Sequence, residues 1–145
     1  LGWAPSYTVK DTVVYVGTSD DRVFAALDTR DGHEIWKIGS KFNIFGNAAI
    51  TSNAVYIGTI WGRRLAIDAR KGNIKWTFET DGRPANRHKY YKKDDSFVDN
   101  IRTILPSASQ WVGAEYRMGG IWSTPLVVED KIILTTTEGT VYCLK

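Results

Sequence analysis

The side chains best suited to metal binding or nucleophilic catalysis are few in this sequence: His33, His88 and Cys143. The two histidines lie far apart without a ligand-like neighbour, which is not typical of a metal centre or a catalytic triad. A lone cysteine can form neither an intrachain disulfide nor a cysteine-based metal cluster. No G-x-S-x-G, P-loop or C-x-x-C pattern occurs, and Gly119-Gly120 precedes a predicted strand rather than a helix. The sequence therefore predicts no catalytic and no metal-binding residues.

A second group of side chains has the types that bind ligands by charge and stacking. Basic and aromatic residues are interleaved in a polar stretch after residue 80, and a further tryptophan occupies a predicted turn. The candidate contacts to a ligand or partner are Trp61, Arg87, Lys89, Tyr90, Tyr91 and Lys92. Such a mixture can bind an anion, a glycan or a nucleic acid. The alternatives are a solvated loop, and a Trp61 ring that packs on the neighbouring loop.

Composition and charge exclude several classes of protein. The chain has 145 residues, enough for one domain at most, and its 43% hydrophobic content suffices for a sizeable core. A net charge of +3, from 19 basic and 16 acidic residues, is too balanced to favour a nucleic-acid partner. No apolar run approaches the roughly 18 residues of a membrane span. The first residues lack the charged start and apolar centre of a signal peptide.

The elements that must position these residues are organised as a repeat. The stretch VYVGTSDDRVFAALDTRDGHEIW, residues 14–36, returns as VYIGTIWGRRLAIDARKGNIKW, residues 55–76. Each copy predicts a β-branched and aromatic strand, a second strand that ends in Asp, a turn that contains Gly, and a third strand that ends on Trp. The repeated landmarks, each pair 40 residues apart, are Asp28 and Asp68, Gly32 and Gly72, and Trp36 and Trp76.

A further strand precedes each copy, and a third copy opens late in the chain. Strands are predicted at residues 4–10 and 45–51, and residues 121–145 begin a third unit in which Trp122 matches Trp3. Four short strands in a unit of about 40 residues are typical of a β-propeller blade, because stacked sheets bury the faces that one sheet cannot. The single domain 1–145 then consists of a blade at 4–40, a blade at 45–80, an insertion at 81–120 and an incomplete blade at 121–145.

The insertion, residues 81–120, interrupts the regular spacing without a visible copy of the motif. Apolar residues at helical spacing predict a short helix in it, capped near residues 94–96 and ended by Pro106. The spaced side chains are Phe97, Ile101, Ile104 and Leu105.

The motif V-Y-V-G-x-x-D-x-x-ϕ-x-A-L-D-x-x-x-G-x-x-x-W resembles the pyrroloquinoline-quinone (PQQ)-like repeat. That family includes quinoprotein alcohol dehydrogenases and periplasmic BamB-type outer-membrane assembly lipoproteins. The resemblance implies an all-β, partial β-propeller of about three four-stranded antiparallel blades, the last one incomplete, with a loop and short helix inserted. It also implies a periplasmic or extracellular location.

The resemblance further implies a tryptophan-docking role for the repeated landmarks. The rings of Trp36 and Trp76 are expected to be buried between neighbouring blades. Each ring should stack on a glycine-containing turn and be admitted by a small residue. At the strand ends, the two aspartates should accept backbone N–H bonds from the next few residues. The remaining docking positions are Gly32 and Gly72, Ala26 and Ala66, and Asp28 and Asp68.

Two functions of different classes follow from the resemblance. The first is a non-catalytic binding or scaffold module of a larger extracytoplasmic protein, with a protein partner or the remainder of a longer polypeptide at the open blade edges. The alternative is a fragment of a PQQ-dependent quinoprotein dehydrogenase, or of another enzyme, whose active-site residues lie outside this chain; a sensor or polysaccharide-binding domain is a third. Family dehydrogenases hold the quinone against adjacent cysteines and a carboxylate-bound Ca²⁺. Because Cys143 has no adjacent cysteine, PQQ and Ca²⁺ are not expected as cofactors of this chain alone.

Overall fold

The structure, a computed structural model, describes residues 6–41 and 43–145 as three antiparallel sheets and a helical insertion. Ala4 and Pro5, at the start of the predicted first blade, and Trp3, the match of Trp122, lie outside the described residues. The first sheet has the order β1-β2-β3-β4 and the second β5-β6-β7-β8. The third has three strands in the order β11-β10-β9. These sheets confirm the all-β, partial-propeller fold class.

Each sheet is a meander of short strands. In the first sheet they are β1 (Ser6–Lys10), β2 (Val13–Gly17), β3 (Val23–Asp28) and β4 (Glu34–Gly39). In the second they are β5 (Ala49–Ile50), β6 (Ala54–Gly58), β7 (Arg63–Asp68) and β8 (Ile74–Glu79). In the third they are β9 (Leu126–Val128), β10 (Lys131–Thr135) and β11 (Val141–Leu144).

The repeat is reproduced down to its irregularities. The ladder between the third and fourth strands shifts register after Ala26 in the first sheet and after Ala66 in the second. The shift leaves Ala26 opposite Trp36 and Ala66 opposite Trp76. Both alanines are fully buried. A larger side chain at either position would collide with its indole partner, so the bulge and the small residue together position each tryptophan.

Two predicted strand boundaries are wrong. The strand expected at residues 45–51 is reduced to the two residues of β5, because the chain before it packs elsewhere: a Cβ atom added to Gly46 would lie 2.7 Å from the carbonyl oxygen of Ser123. The fourth strands also continue beyond the tryptophans at which they were expected to end, since β4 reaches Gly39 and β8 reaches Glu79.

The main core lies between the first and second sheets. One face of the first sheet packs against one face of the second, as consecutive propeller blades do. The first sheet contributes Tyr15, Phe24, Ala26 and Trp36, and the second contributes Val55, Ile57, Leu65 and Ile67.

The insertion contains more helix than the sequence indicates. It comprises α1 (Gly82–Asn86), a 3₁₀ turn (Arg87–Lys89), α2 (Ile101–Ile104) and α3 (Ala108–Arg117). The predicted helix exists only as the single turn of α2, before Pro106. The sequence analysis missed α3, although Ser107 and Gln110 form a capping box at its start and could have revealed it. Within the described residues, no helix is long and apolar enough to cross a membrane.

Candidate functional site

The contact between the first and second sheets shows how this repeat docks. The ring of Trp36 is only 8% exposed, and its indole N–H donates to the carbonyl oxygen of Ala69 at 3.0 Å. The ring lies on the β7–β8 turn, where a Cβ atom added to Gly72 would come within 2.7 Å of its Cδ2 atom. Gly72 also has a φ of +73°. Glycine is therefore required at position 72 for two reasons: the backbone conformation and the close approach of the indole.

The two aspartates stabilise the turns on which such rings stack. Asp28 accepts the backbone N–H of Arg30 at 2.8 Å and two hydrogen bonds from its guanidinium. Asp68 accepts the backbone N–H groups of Arg70 and Lys71 at 3.0 and 2.9 Å. The hydrogen bonds from Arg30 hold the pKa of Asp28 well below its usual range, and those from the Lys71 and Arg70 backbone lower the pKa of Asp68. The expected local backbone hydrogen bonds are thus present at both turns.

The burial predicted for Trp76 is wrong. Trp76 is 39% exposed, although it occupies the same strand position as Trp36. Its ring contacts Tyr56, with the centroids 6.0 Å apart, but no described turn covers it. The turn that covers Trp36 lies between the third and fourth strands of the second sheet, and the described third sheet has three strands, the last being β11 (Val141–Leu144).

The glycine-containing turn of the first sheet is uncovered among the described residues. Gly32 has a φ of +76°, like Gly72, yet a Cβ atom added to it would meet nothing within 4 Å among the described residues. The first sheet thus offers a docking turn without a ring, and the second offers Trp76 without a turn. The described sheets therefore contain one complete and two incomplete docking sites.

The outer faces of the first and third sheets are also open. Val55 and Ile57 of the second sheet are fully buried because the first sheet covers them, whereas their counterparts Val14 and Val16 in the first sheet are half-exposed. The large apolar side chains exposed on the first sheet are Tyr7, Val9 and Ile35, and those on the third are Leu126, Val128 and Val141. Contiguous exposed apolar side chains of this kind mark surfaces that contact other protein.

The third sheet ends in an unpaired edge strand. Strand β11 pairs with β10 on one side only, and a cleft of about 340 Å³ lies beside it. The cleft is lined by Trp76, Thr77, Phe78, Leu144 and Lys145. The second and third sheets meet next to it, where the rings of Phe78 and Tyr142 are 5.1 Å apart. The cleft occupies the place of a fourth strand, which the first two sheets possess.

The structure places Trp61, Tyr90 and Tyr91 in a second core, so their assignment as ligand contacts is wrong. Trp61 is 2% exposed and lies in the β6–β7 turn, beneath the insertion. It makes edge-on contacts with four rings, and the shortest, to Tyr91, joins centroids 5.2 Å apart. The other rings around it are Tyr90, Phe97 and Trp111. The insertion is therefore packed on the second sheet rather than solvated, and Trp61 packs on a neighbouring segment, the alternative that the sequence left open for it. The rings that contact Trp61 lie 29 or more positions further along the chain.

The candidate basic residues divide between a buried ion cluster and solvent. Asp95 accepts hydrogen bonds from Arg63, Arg83 and Arg87, and Arg83 is fully buried. Arg63 and Arg83 also donate to Glu79 of β8. This cluster fastens the insertion to the second sheet. Lys89 and Lys92 remain exposed and contact Asn86 and Asp99, respectively.

The ion cluster makes the insertion sensitive to acid. Burial alone would raise the pKa of Asp95, but the hydrogen bond from Arg87 and the charges of Arg63 and Arg83 outweigh it, and its pKa is lowered. A carboxylate with a lowered pKa stabilises the fold above its unfolded pKa, near 4, and this contribution is lost as the pH falls through the folded value. We expect pepsin, which is active in acid, to cleave the insertion faster as the pH falls below about 4, and trypsin serves for the comparison of variants at pH 7. Asp95→Asn should show the same opening at pH 7, whereas the exposed control Asp130→Asn should not; equal cleavage of both would contradict the prediction.

The side chains suited to metal or quinone binding lie apart from one another among the described residues. Among them, no group of three or more His, Cys, Asp or Glu side chains is arranged to hold a metal ion. Asp28 and Asp68 are engaged in their own turns, and Cys143 lies exposed on the open face of the third sheet without a cysteine neighbour. His33 is exposed and bonded to Asp31.

Comparison with known proteins agrees with the repeat. The chain is 29% identical over 135 residues to the outer membrane protein assembly factor BamB of Nitrosomonas eutropha, covering 89% of this chain and 31% of that protein. It is 28% identical over 123 residues to the quinohemoprotein alcohol dehydrogenase ADH-IIG of Pseudomonas putida, covering 77% of this chain and 16% of that enzyme. The chain thus spans about a third of the BamB relative and a sixth of the dehydrogenase.

Solved structures show the same fold. BamB from Moraxella catarrhalis superposes with a TM-score of 0.62 at 15% identity, covering 98% of this chain and 32% of that one. A europium-containing methanol dehydrogenase gives a TM-score of 0.62 at 17% identity, covering 99% of this chain and 23% of that one. The family model described as outer membrane protein assembly factor BamB matches residues 1–92, more than half of the sequence. Together with the repeated docking motif, this match shows that the chain belongs to the BamB-like family of PQQ-type propeller repeats.

Proposed function

We propose that this chain is a non-catalytic binding or scaffold module of a larger extracytoplasmic protein, and that its open sheet faces bind other protein. The observation that carries the proposal is the docking motif itself. It is complete between Trp36 and Gly72, and it is incomplete at Trp76 and at Gly32. Each incomplete site has one half of the complete one, either the exposed indole or the glycine-containing turn. Each is therefore suited to contact another sheet of the same kind.

The partner is protein, either the remainder of a longer polypeptide or another chain. The exposed faces are apolar, and an unpaired strand edge such as β11 offers backbone groups that another strand can satisfy. A nucleic-acid partner is not favoured, because the net charge is only +3 and Arg83 and Arg87 of the insertion are paired with Glu79 and Asp95. Its family supports a periplasmic or extracellular location for the module.

The proposal is tested by the mass of the chain in solution. We expect a concentration-dependent mass above that of one chain in sedimentation equilibrium, because the open faces pair with each other when no other partner is present. Trp76→Ala should weaken this association about tenfold, the equivalent of ~1.4 kcal/mol, by removing an indole that docks.

The matched control for this experiment is Trp122→Ala. Trp122 is 41% exposed, close to the value for Trp76, but it lies outside the docking motif. Association should therefore survive its removal. Two results would contradict the assignment of the motif halves as docking sites. One is a chain that remains monomeric at about 100 μM, and the other is an association that both substitutions weaken equally.

A second candidate function is supported by the similarity to quinohemoprotein alcohol dehydrogenases. On this reading the chain is part of a quinone-dependent enzyme whose active-site residues lie in other segments. The two readings differ in cofactor binding. We propose that this chain alone binds neither PQQ nor Ca²⁺, so titration with both should leave the quinone absorbance unchanged and no dye acceptor should be reduced. Saturable quinone binding would favour the enzyme.

A further inference from the structure

The guanidinium of Arg64 is buried without a hydrogen-bond partner. Arg64 lies on β7 and is 0% exposed, and its Nε, Nη1 and Nη2 atoms have no partner among the described residues. Its nearest electrostatic contacts are two aromatic faces: the guanidinium carbon lies 5.0 Å from the ring centre of Tyr56 and 5.8 Å from that of Trp76. Five N–H donors are therefore enclosed by rings that accept them only weakly.

This arrangement is costly to the chain as it stands. An unpaired buried charge loses its hydration without a compensating partner, and cation–π contacts recover only part of that loss. Burial lowers the pKa of Arg64 to about 10, so the side chain still carries its charge at neutral pH. Buried arginines in proteins are normally paired with a carboxylate.

The position of Arg64 in the repeat indicates where the partner belongs. Arg64 pairs with Gly58 as Phe24 pairs with Gly17, so Arg64 and Phe24 are counterparts on successive sheets. Phe24 is covered by the second sheet, whose Leu65 shares its core cluster. Arg64 accordingly faces the third sheet, which has three strands and ends at the edge strand β11.

Trp76 lies next to both the buried guanidinium and the cleft beside β11. Its ring stacks on the Arg64 guanidinium and also lines the cleft. In the complete docking site, the equivalent ring of Trp36 is hydrogen-bonded to the β7–β8 turn. A strand added to β11 would place a turn against Trp76 in the same way.

The register identifies the strand position nearest to Arg64. Tyr142 pairs with Leu134 as Leu65 pairs with Ile57, which makes Tyr142 the counterpart of Leu65. In the second sheet the residue opposite Leu65 on the outer strand is Thr77. The residue opposite Tyr142 on an added strand therefore faces the second sheet at the level of Arg64.

We propose that Arg64 is the recognition site for a carboxylate on an extended peptide segment that adds to β11, with an Asp or Glu opposite Tyr142. This inference rests on the proposed function and names the chemistry of its partner. The segment completes the third sheet through backbone hydrogen bonds and covers Trp76. It also supplies a carboxylate for Arg64, which has no hydrogen-bond partner among the described residues. The bonds formed are bidentate N–H···O contacts between the guanidinium and the carboxylate.

A first experiment measures the thermal stability of the chain without any partner. Because Arg64 is unpaired there, Arg64→Met should raise the Tm by about 3–8 °C. Arg102→Met, at an exposed arginine of α2, is the control and should change the Tm by less than about 1 °C. A lower Tm for Arg64→Met would show that the guanidinium already has its partner and would overturn the inference, while leaving the docking proposal intact.

A second experiment measures recognition directly with peptides copied from the chain. The probes are two synthetic peptides with the sequence of residues 72–79, GNIKWTFE, one carrying Thr77→Glu and the other Thr77→Gln. In an NMR titration of the 145-residue chain, the Glu peptide should bind at least about tenfold more tightly than the Gln peptide, and it should shift the indole resonance of Trp76. With Arg64→Met the two peptides should bind equally, whereas Arg64→Lys should retain part of the difference.

The outcomes separate this inference from the proposed function. Equal binding of both peptides to the unaltered chain would overturn the carboxylate site but support strand addition at β11. Failure of both peptides to bind would overturn strand addition and the carboxylate site together. A preference for the Glu peptide that persists in Arg64→Met would assign the recognition to another cation and overturn the role of Arg64.

Discussion

Trp36→Ala is expected to destabilise the chain by about 3–5 kcal/mol, the range for removing a buried tryptophan. Trp36 is buried between the first two sheets, and its indole N–H donates to the carbonyl oxygen of Ala69. The substitution leaves a cavity, exposes the β7–β8 turn at Gly72, and orphans that carbonyl group. The expected result is a large shift of the urea midpoint, measured by circular dichroism, with an unchanged m-value.

Trp76→Ala is the matched control, because Trp76 occupies the same motif position but is 39% exposed. We expect it to destabilise the chain less than Trp36→Ala does, since its ring has less buried apolar area and no neighbouring turn to lose. The loss of free energy of unfolding that we expect comes from the ring contact with Tyr56 and the stacking on Arg64. Equal losses for the two substitutions would contradict the conclusion that a neighbouring turn, and not the strand position, stabilises a docked ring.

Trp61→Ala should release the insertion from the second sheet at a cost of about 3–5 kcal/mol. Trp61 is the centre of a separate core, and the rings that surround it all come from the insertion. Its removal takes away the contact that these elements share. We expect trypsin to cleave residues 81–120 at least about tenfold faster, while the β-sheet signal in circular dichroism is retained.

Trp122→Ala serves here too as the control, since Trp122 is exposed and contacts Phe45 and Tyr116 only at their ring edges or tilted faces. Cleavage of the insertion should be unchanged by it. If Trp61→Ala left the cleavage rate unchanged, the packing of Trp61 would contribute little to the position of the insertion, and the ion cluster around Asp95 would hold it alone.

The three sheets were predictable from the sequence because they depend on local patterns that occur more than once. Alternating β-branched and aromatic residues form the strands, and each glycine-containing turn is stabilised within a few residues by Asp28 or Asp68. Two copies at the same spacing also predict the stacking of sheets, because one such sheet cannot bury both faces. The two-residue β5 was missed because Gly46 packs against a segment almost 80 positions later.

The sequence by itself determined the repeat, the turns and the pairing of each tryptophan with an alanine, since these arise from neighbouring residues and from strand register. Only the tertiary structure decided which side chains are buried. Trp36 and Trp76 are identical in motif but differ in exposure, because burial depends on what the next sheet places against the ring. Trp61 is buried for the same kind of reason, by residues distant in sequence that neither propensity nor spacing connects to it.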